Sequence, residues 1–166
     1  LIDKTIFLDD AMLMIEKYDF DIVIEATGNP QAGVLHALKA IKNGMHIVMV
    51  NVEADVLAGV ALAEEAKSAG VVYSMAYGDQ PALTCELVEW ARSTGFDVIA
   101  AGKGTKYLPI YHQSNPSTVW EYYGLTEAQA QNARMNSKMF NSFLDGTKSA
   151  LEMAAISNAT GLAAPN

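Results

Sequence analysis

Only one of the 166 residues is a cysteine, Cys85, so an internal disulfide is excluded and no thiolate metal cage can be built. Cys85 falls inside a helical pattern and reads as a small core residue. Basic side chains are also scarce, with 11 lysines and arginines against 19 aspartates and glutamates and a net charge of -8. Nothing resembles a basic stripe, which argues against general nucleic-acid binding. No apolar run is long enough to span a bilayer and no signal peptide is visible, so a cytosolic protein without a membrane partner is expected. His36, His46 and His112 are scattered with no HxH or HxxxH spacing, and none is read as a metal ligand. No repeat or low-complexity segment occurs. What remains, 51% hydrophobic and 18% charged, is the composition of an ordinary soluble globule of one domain or one and a half.

The informative stretch is Asp21 to Asn51. Ile22-Val23-Ile24 is a short β-branched run, apolar on both faces, which is how a buried parallel strand reads. Thr27-Gly28-Asn29-Pro30 breaks it, and Pro30 suits the first turn of a helix. Val34, Ala37, Leu38 and Ile41 then recur at helical spacing as one apolar stripe. Asn43-Gly44 ends that helix, and His46 to Val50 reads as the next strand. Strand, helix and strand at this spacing make a βαβ unit with a right-handed crossover. Ligands in such sheets sit beyond the carboxyl ends of the strands, here Ala26-Thr27-Gly28-Asn29 and Asn51. A nucleotide-binding sheet normally opens on a GxGxxG turn, and none occurs here. Either the first half of a dinucleotide domain lies elsewhere, or this sheet never bound a dinucleotide.

Before this unit, Asp9 or Asp10 can cap a helix running to about Tyr18. After it, Asp55 to Ala69 is helical, with Val56, Val60 and Ala63 on one side and Leu57 and Ala61 beside them, and Val71 to Met75 reads as a strand. Asp79 or Gln80 can cap a helix with Pro81 in its first turn and Leu83, Leu87, Trp90 and Ala91 on its buried side. The free N–H groups at that helix start suit a carboxylate or phosphate. Phe96 to Ala101 reads as a further strand leading into Gly102-Lys103-Gly104-Thr105-Lys106-Tyr107. Thr126 with Gln129 is a capping box, opening a long helical stretch to Thr160, with a break near Asn132 and a core stripe of Phe140, Phe143, Leu144, Leu151, Ala154 and Ala155.

Two further features carry chemistry. The glycine-rich turn with Lys103, Thr105 and Lys106 directly after a strand could hold an anion through N–H groups and ammoniums, or its lysines could simply be solvated. Asn141, Asp145, Lys148 and Glu152 fall on one flank of a continuous helix, where a cleft would lie. By spacing alone they read as a salt-bridge ladder on a wet face. Glu53 and Asp55 most simply supply negative charge to a helix start.

Taken together, DIVIEATGNP, HIVMVNVEADVLAG, VVYSMAYGDQPA, GFDVIAAGKGTKYLP and MFNSFLDGTKSALEMAAISNATGL resemble the homoserine-dehydrogenase-like oxidoreductases. They are most similar to the group with an additional C-terminal SAF domain, one branch of which comprises reductoisomerases resembling 1-deoxy-D-xylulose-5-phosphate reductoisomerase. The resemblance implies an α/β fold: the C-terminal half of a Rossmann-like parallel sheet over residues 1–75, then an α/β catalytic and dimerisation domain over 76–166. The glycine turn would lie upstream of Leu1 and the SAF domain beyond Asn166. NADP or NAD is the implied cofactor, held by Ala26, Thr27, Gly28, Asn29 and Asn51, and hydride transfer to or from a small anionic alcohol or carbonyl compound the implied reaction. The family's Asn-Lys pair is Asn51-Val52 here, and the lost lysine argues against homoserine itself. The family's GxxxGTxNY loop appears as Gly102 to Tyr107, with Lys106 in place of asparagine. By the same resemblance Asp145 and Lys148 match the catalytic aspartate and lysine, with Lys106 a second proton-transfer candidate, and Asp79, Gln80, Lys103 and Thr105 bind substrate. No metal site is implied, except that a reductoisomerase acting on a sugar phosphate would need a divalent cation. A homodimer is expected, with Trp90, Trp120, Tyr122 and Tyr123 as the motive.

Overall fold

A computed structural model describes residues 5–164. Three parallel strands, β1 (Ile22–Glu25), β2 (His46–Met49) and β3 (Tyr73–Met75), form one sheet in the order β1-β2-β3. Ile22 stands beside His46 and Ile47 beside Tyr73, so the pairing expected from the βαβ pattern is present. The crossovers are helices α2 (Pro30–Lys42) and α3 (Val52–Ala69), which pack side by side, and α1 (Ala11–Lys17) leans on α2. Val23, Ile47 and Met49 bury against Ala37, Ile41, Ala54, Leu62 and Ala66 in the first core.

Local chemistry accounts for the helix starts. Asp10, Asn29 and Asn51 each cap a helix by accepting a backbone N–H, and Pro30 occupies the first turn of α2. Asn51 starts α3 three residues earlier than the sequence suggested. The buried side of α3 also differs: Gly59, Leu62 and Ala66 face inward, while Leu57 and Val60 are exposed. Small residues there let α3 lie close to its neighbours, a requirement that hydrophobicity alone does not reveal. Likewise β1 is covered on one side only, with Ile22 and Ile24 54% and 66% exposed.

The second half is helical: α4 (Gln80–Ser93), a 3-10 turn (Pro109–Gln113), α5 (Val119–Tyr123), α6 (Glu127–Asn132), α7 (Ser137–Leu144) and α8 (Thr147–Thr160). Helix α8 packs on α3, α4 and α7 and joins the two halves. Tyr111, Val119, Trp120, Ala130 and Leu144 form a second core, so Trp120 is interior rather than a surface aromatic. The capping box at Thr126 and Gln129 is formed. Three expectations are corrected. Phe96 to Ala101 forms no strand: it pairs with neither open edge of the sheet, and Ile99 is 95% exposed. The stretch after Thr126 is three helices, interrupted at Arg134 in the left-handed region and at Gly146 with φ +88°. In α4 the buried residues are Pro81 and Val88, whereas Leu83, Leu87 and Trp90 are exposed. Among the described residues no helix is long and apolar enough to cross a membrane.

Candidate functional site

Two groups of side chains meet where α3 begins. The first surrounds the carboxyl end of β1. Glu25, the residue that closes the β-branched run, is 97% buried, being 3% exposed. Its Oε1 accepts from the Thr27 N–H at 3.2 Å and lies 3.4 Å from His36 Nδ1. Its Oε2 accepts from Asn51 Nδ2 at 2.9 Å. Burial opposes ionisation of Glu25, but hydrogen bonds from Thr27, Asn51 and His36 outweigh it and hold the carboxyl below its ordinary value. Asn51 Nδ2 donates again to the Asn29 carbonyl at 2.9 Å, while Asn51 Oδ1 accepts from the Ala54 N–H at 3.1 Å. Asn51 is therefore interior, and its side chain is committed at both ends. Ala26, Thr27, Gly28 and Asn29 remain exposed, and Gly28, at φ +70°, has open space where a Cβ would stand. A backbone turn of this kind fits the approach of a dinucleotide, because Gly28 carries no side chain to hold the ligand off.

The second group lines a cavity of about 390 Å³. The start of α4 contributes Asp79 and Gln80, the glycine-rich loop contributes Lys103 and Thr105, and α7 and α8 contribute Phe143, Lys148, Ser149 and Glu152. Asp79, Gln80, Lys103, Thr105 and Lys148, chosen from separate stretches of sequence, are thus neighbours. Glu152, only 2% exposed, forms an ion pair with Lys103 and stands 3.9 Å from Lys148 Nζ. Lys148 Nζ is also 4.0 Å from Glu53 Oε1 in the first turn of α3. Glu53 lies two residues beyond Asn51, so the lysine cavity and the β1 turn share one helix start.

Two sequence-based candidates are placed elsewhere. Asp145 caps the turn into α8: its Oδ1 accepts from the Thr147 N–H at 2.9 Å and from the Thr147 hydroxyl, and its Oδ2 accepts from Asn141 Nδ2 at 2.9 Å. The break at Gly146 turns it away from Lys148, whose ion-pair partners are Glu53 and Glu152 instead. Lys106 is exposed and does not line the cavity. Conversely, Glu25, His36 and Glu53 border the two groups although spacing did not single them out, and Glu152 of the α8 flank lines the cavity. The available signal was an acid ending an apolar strand, since such a group must be satisfied once buried.

A larger cavity of about 410 Å³ lies between α3, β3 and α8 and holds Asp55 and Tyr73, whose hydroxyl donates to Asp55 Oδ1 at 2.8 Å. Burial raises the Asp55 carboxyl, opposed by that hydrogen bond, and raises the Tyr73 phenol. The lysine cavity is the better chemical candidate because two ammoniums, a helix start and a glycine-rich loop converge on it. Among the described residues no group of three or more histidines, cysteines, aspartates or glutamates is placed to hold a metal.

A parallel α/β sheet with an open turn at a strand end, beside a lysine-lined cavity, is an arrangement that suits a nicotinamide-dependent oxidoreductase, and comparison with known families supplies the class. Residues 3–76 match the homoserine dehydrogenase NAD-binding domain, and residues 78–166 match the catalytic domain of oxidoreductase DRL. The second match spans more than half of the chain, which therefore belongs to the oxidoreductase DRL family, homoserine-dehydrogenase-like NAD(P)-dependent oxidoreductases. No curated protein matches the chain.

Proposed function

We propose that the protein moves a hydride between NAD(P) and a small alcohol or carbonyl compound bearing a carboxylate or phosphate. The observation that carries this reading is the convergence of Lys103 and Lys148 on the buried Glu152 in a cavity that also takes in the start of α4. The cofactor supplies hydride donor or acceptor chemistry when bound along the Ala26–Asn29 turn. Lys148 holds or accepts the proton at the substrate oxygen: in oxidation the O–H proton passes to its neutral amine as the hydride leaves carbon, and in reduction its ammonium returns the proton. Glu152 and Glu53 flank that ammonium and keep it pointed into the cavity. Lys103, Thr105 and the N–H groups at the start of α4 bind the anionic end, with Asp79 fixing the helix start through its bond from the Gln80 N–H at 2.9 Å. In this arrangement Asp145 positions α8 and takes no proton.

The test is titration of the full-length protein with NADH and NADPH, followed by a screen of hydroxy acids and sugar phosphates for turnover. Saturable nicotinamide binding together with turnover of an anionic substrate supports the reading. Binding of neither cofactor refutes it. A second reading, reductoisomerisation of a sugar phosphate with NADPH and a divalent cation, is favoured by two lysines in one cavity, which suit a phosphate dianion. Activity that survives complete chelation would remove it.

The same proposal divides the chain into a partial dinucleotide-binding domain over 1–75 and a catalytic and dimerisation domain over 76–166, each with its own hydrophobic core. The exposed Leu83, Leu87 and Trp90 of α4 support a homodimer built on that helix. The free Cys85 thiol suits a reducing compartment, and we place the protein in the cytosol.

A further inference from the structure

We propose that Glu25 is a positioning residue that sets the cofactor-facing turn through Asn51, an inference that rests on the oxidoreductase reading above. A buried carboxylate at the end of a strand needs a reason, because leaving it unpaired there is costly. Apart from its contact with His36 on α2, its bonds serve the turn. Its Oε1 collects the Thr27 N–H, and its Oε2 collects Asn51 Nδ2, which in turn holds the Asn29 carbonyl. The turn is thus gripped at Thr27 and Asn29, on either side of Gly28, while the backbone between them stays exposed. Asn51 Oδ1 simultaneously caps α3 at Ala54. One carboxylate therefore locks the end of β1 to the start of α3, which carries Glu53 toward Lys148.

The packing around this tie shows that it is built in. A Cβ on Gly33 would lie 2.7 Å from Asn51 Nδ2 and 2.9 Å from Glu25 Oε2, so α2 carries a glycine where the two side chains meet. The acid cannot be exchanged for an amide without a mismatch. A glutamine at position 25 accepts from Thr27 with its oxygen and then turns an NH₂ donor toward the Asn51 donor. An aspartate at position 51 instead sets two acceptors against each other. Together the two substitutions restore a donor facing an acceptor, although the bond to Asn29 is lost.

The experiment compares wild type, Glu25→Gln, Asn51→Asp and the double variant in the full-length protein. Dissociation constants for NADH and NADPH are read by nucleotide fluorescence, and melting temperature without cofactor is read in parallel. Losing a hydrogen bond to a charged acceptor predicts cofactor binding weakened by about tenfold to a hundredfold in each single variant. The double variant should recover the part of that loss caused by the mismatch between positions 25 and 51. It should bind more tightly than either single variant while staying weaker than wild type, because the bond to the Asn29 carbonyl is gone. A merely structural Glu25 would lower melting temperature while the folded variants kept the wild-type dissociation constant, and that result overturns the inference alone. Wild-type protein that binds neither nucleotide overturns the oxidoreductase reading and this inference with it.

Discussion

Gly33→Ala is a substitution whose sign depends on the tie between Glu25 and Asn51. Gly33 lies inside α2, where alanine is favoured over glycine by about 1 kcal/mol on helix propensity. Propensity alone therefore predicts a more stable protein. The tertiary surroundings oppose it. The added methyl would stand 2.7 Å from Asn51 Nδ2, 2.8 Å from the Ala54 Cβ and 2.9 Å from Glu25 Oε2, three contacts closer than real Cβ atoms make. None of the three is the free end of a long side chain, since Asn51 is bonded at both ends and Ala54 sits in α3. Overpacking of this kind costs about 1–3 kcal/mol. Displacing the Asn51 amide from the Glu25 carboxylate adds about 1.5–3 kcal/mol for a hydrogen bond to a charged group. Set against the propensity gain, the net loss is about 1.5–5 kcal/mol, or about 3–20 °C in melting temperature for a domain of this size. Thermal denaturation followed by circular dichroism reads it directly. A Gly33→Ala protein that melts at or above the wild-type temperature would refute the close packing on which the tie rests.

Lys148→Ala should lower kcat by about 10²–10⁴, the usual contribution of a general acid or base, while nicotinamide affinity and melting temperature stay nearly unchanged; a kcat within twofold of wild type would return Lys148 to the role of a surface ion pair. Lys106→Ala, at an exposed position outside the cavity, should leave kcat close to wild type, and a loss comparable with that of Lys148→Ala would reverse the two assignments. Because the Glu25 carboxyl is held below its ordinary value in the folded protein, it contributes stability that is present above the unfolded pKa and lost as pH falls through the folded one. The acid limb of a melting temperature against pH curve should therefore be flatter in Glu25→Gln, and an identical limb would show that the carboxylate is not the group responsible. Sedimentation of the full-length protein at micromolar concentration should give a dimer, with Trp90→Glu shifting it toward monomer; a wild-type monomer would rule out the α4 interface.

Sequence alone determined the local elements and the topology of the first half. The β-branched run, the proline just after the first turn and the helical stripe of Val34, Ala37, Leu38 and Ile41 act within a few residues, and a short right-handed crossover leaves one way to lay the second strand beside the first. Caps at Asp10, Asp79 and Thr126 were legible for the same reason, since a side chain and the N–H it accepts are at most three residues apart, whereas the caps at Asn29 and Asn51 emerged only in the structure. The strand ends named the turns at Ala26–Asn29 and Asn51, and the glycine-rich loop named Lys103 and Thr105. Only the tertiary structure decided which charges meet. Spacing paired Asp145 with Lys148 on one helix, but Gly146 breaks that helix, so Lys148 faces Glu53 from α3 and Glu152 one turn on, while Asp145 is spent on a cap. The strand expected at Phe96–Ala101 did not form, since strand pairing is a tertiary event that an apolar run alone does not secure. Glu25 became a site residue only when β1, α2 and α3 closed around it, since a carboxylate's burial and its donors arrive from 26 residues away at Asn51.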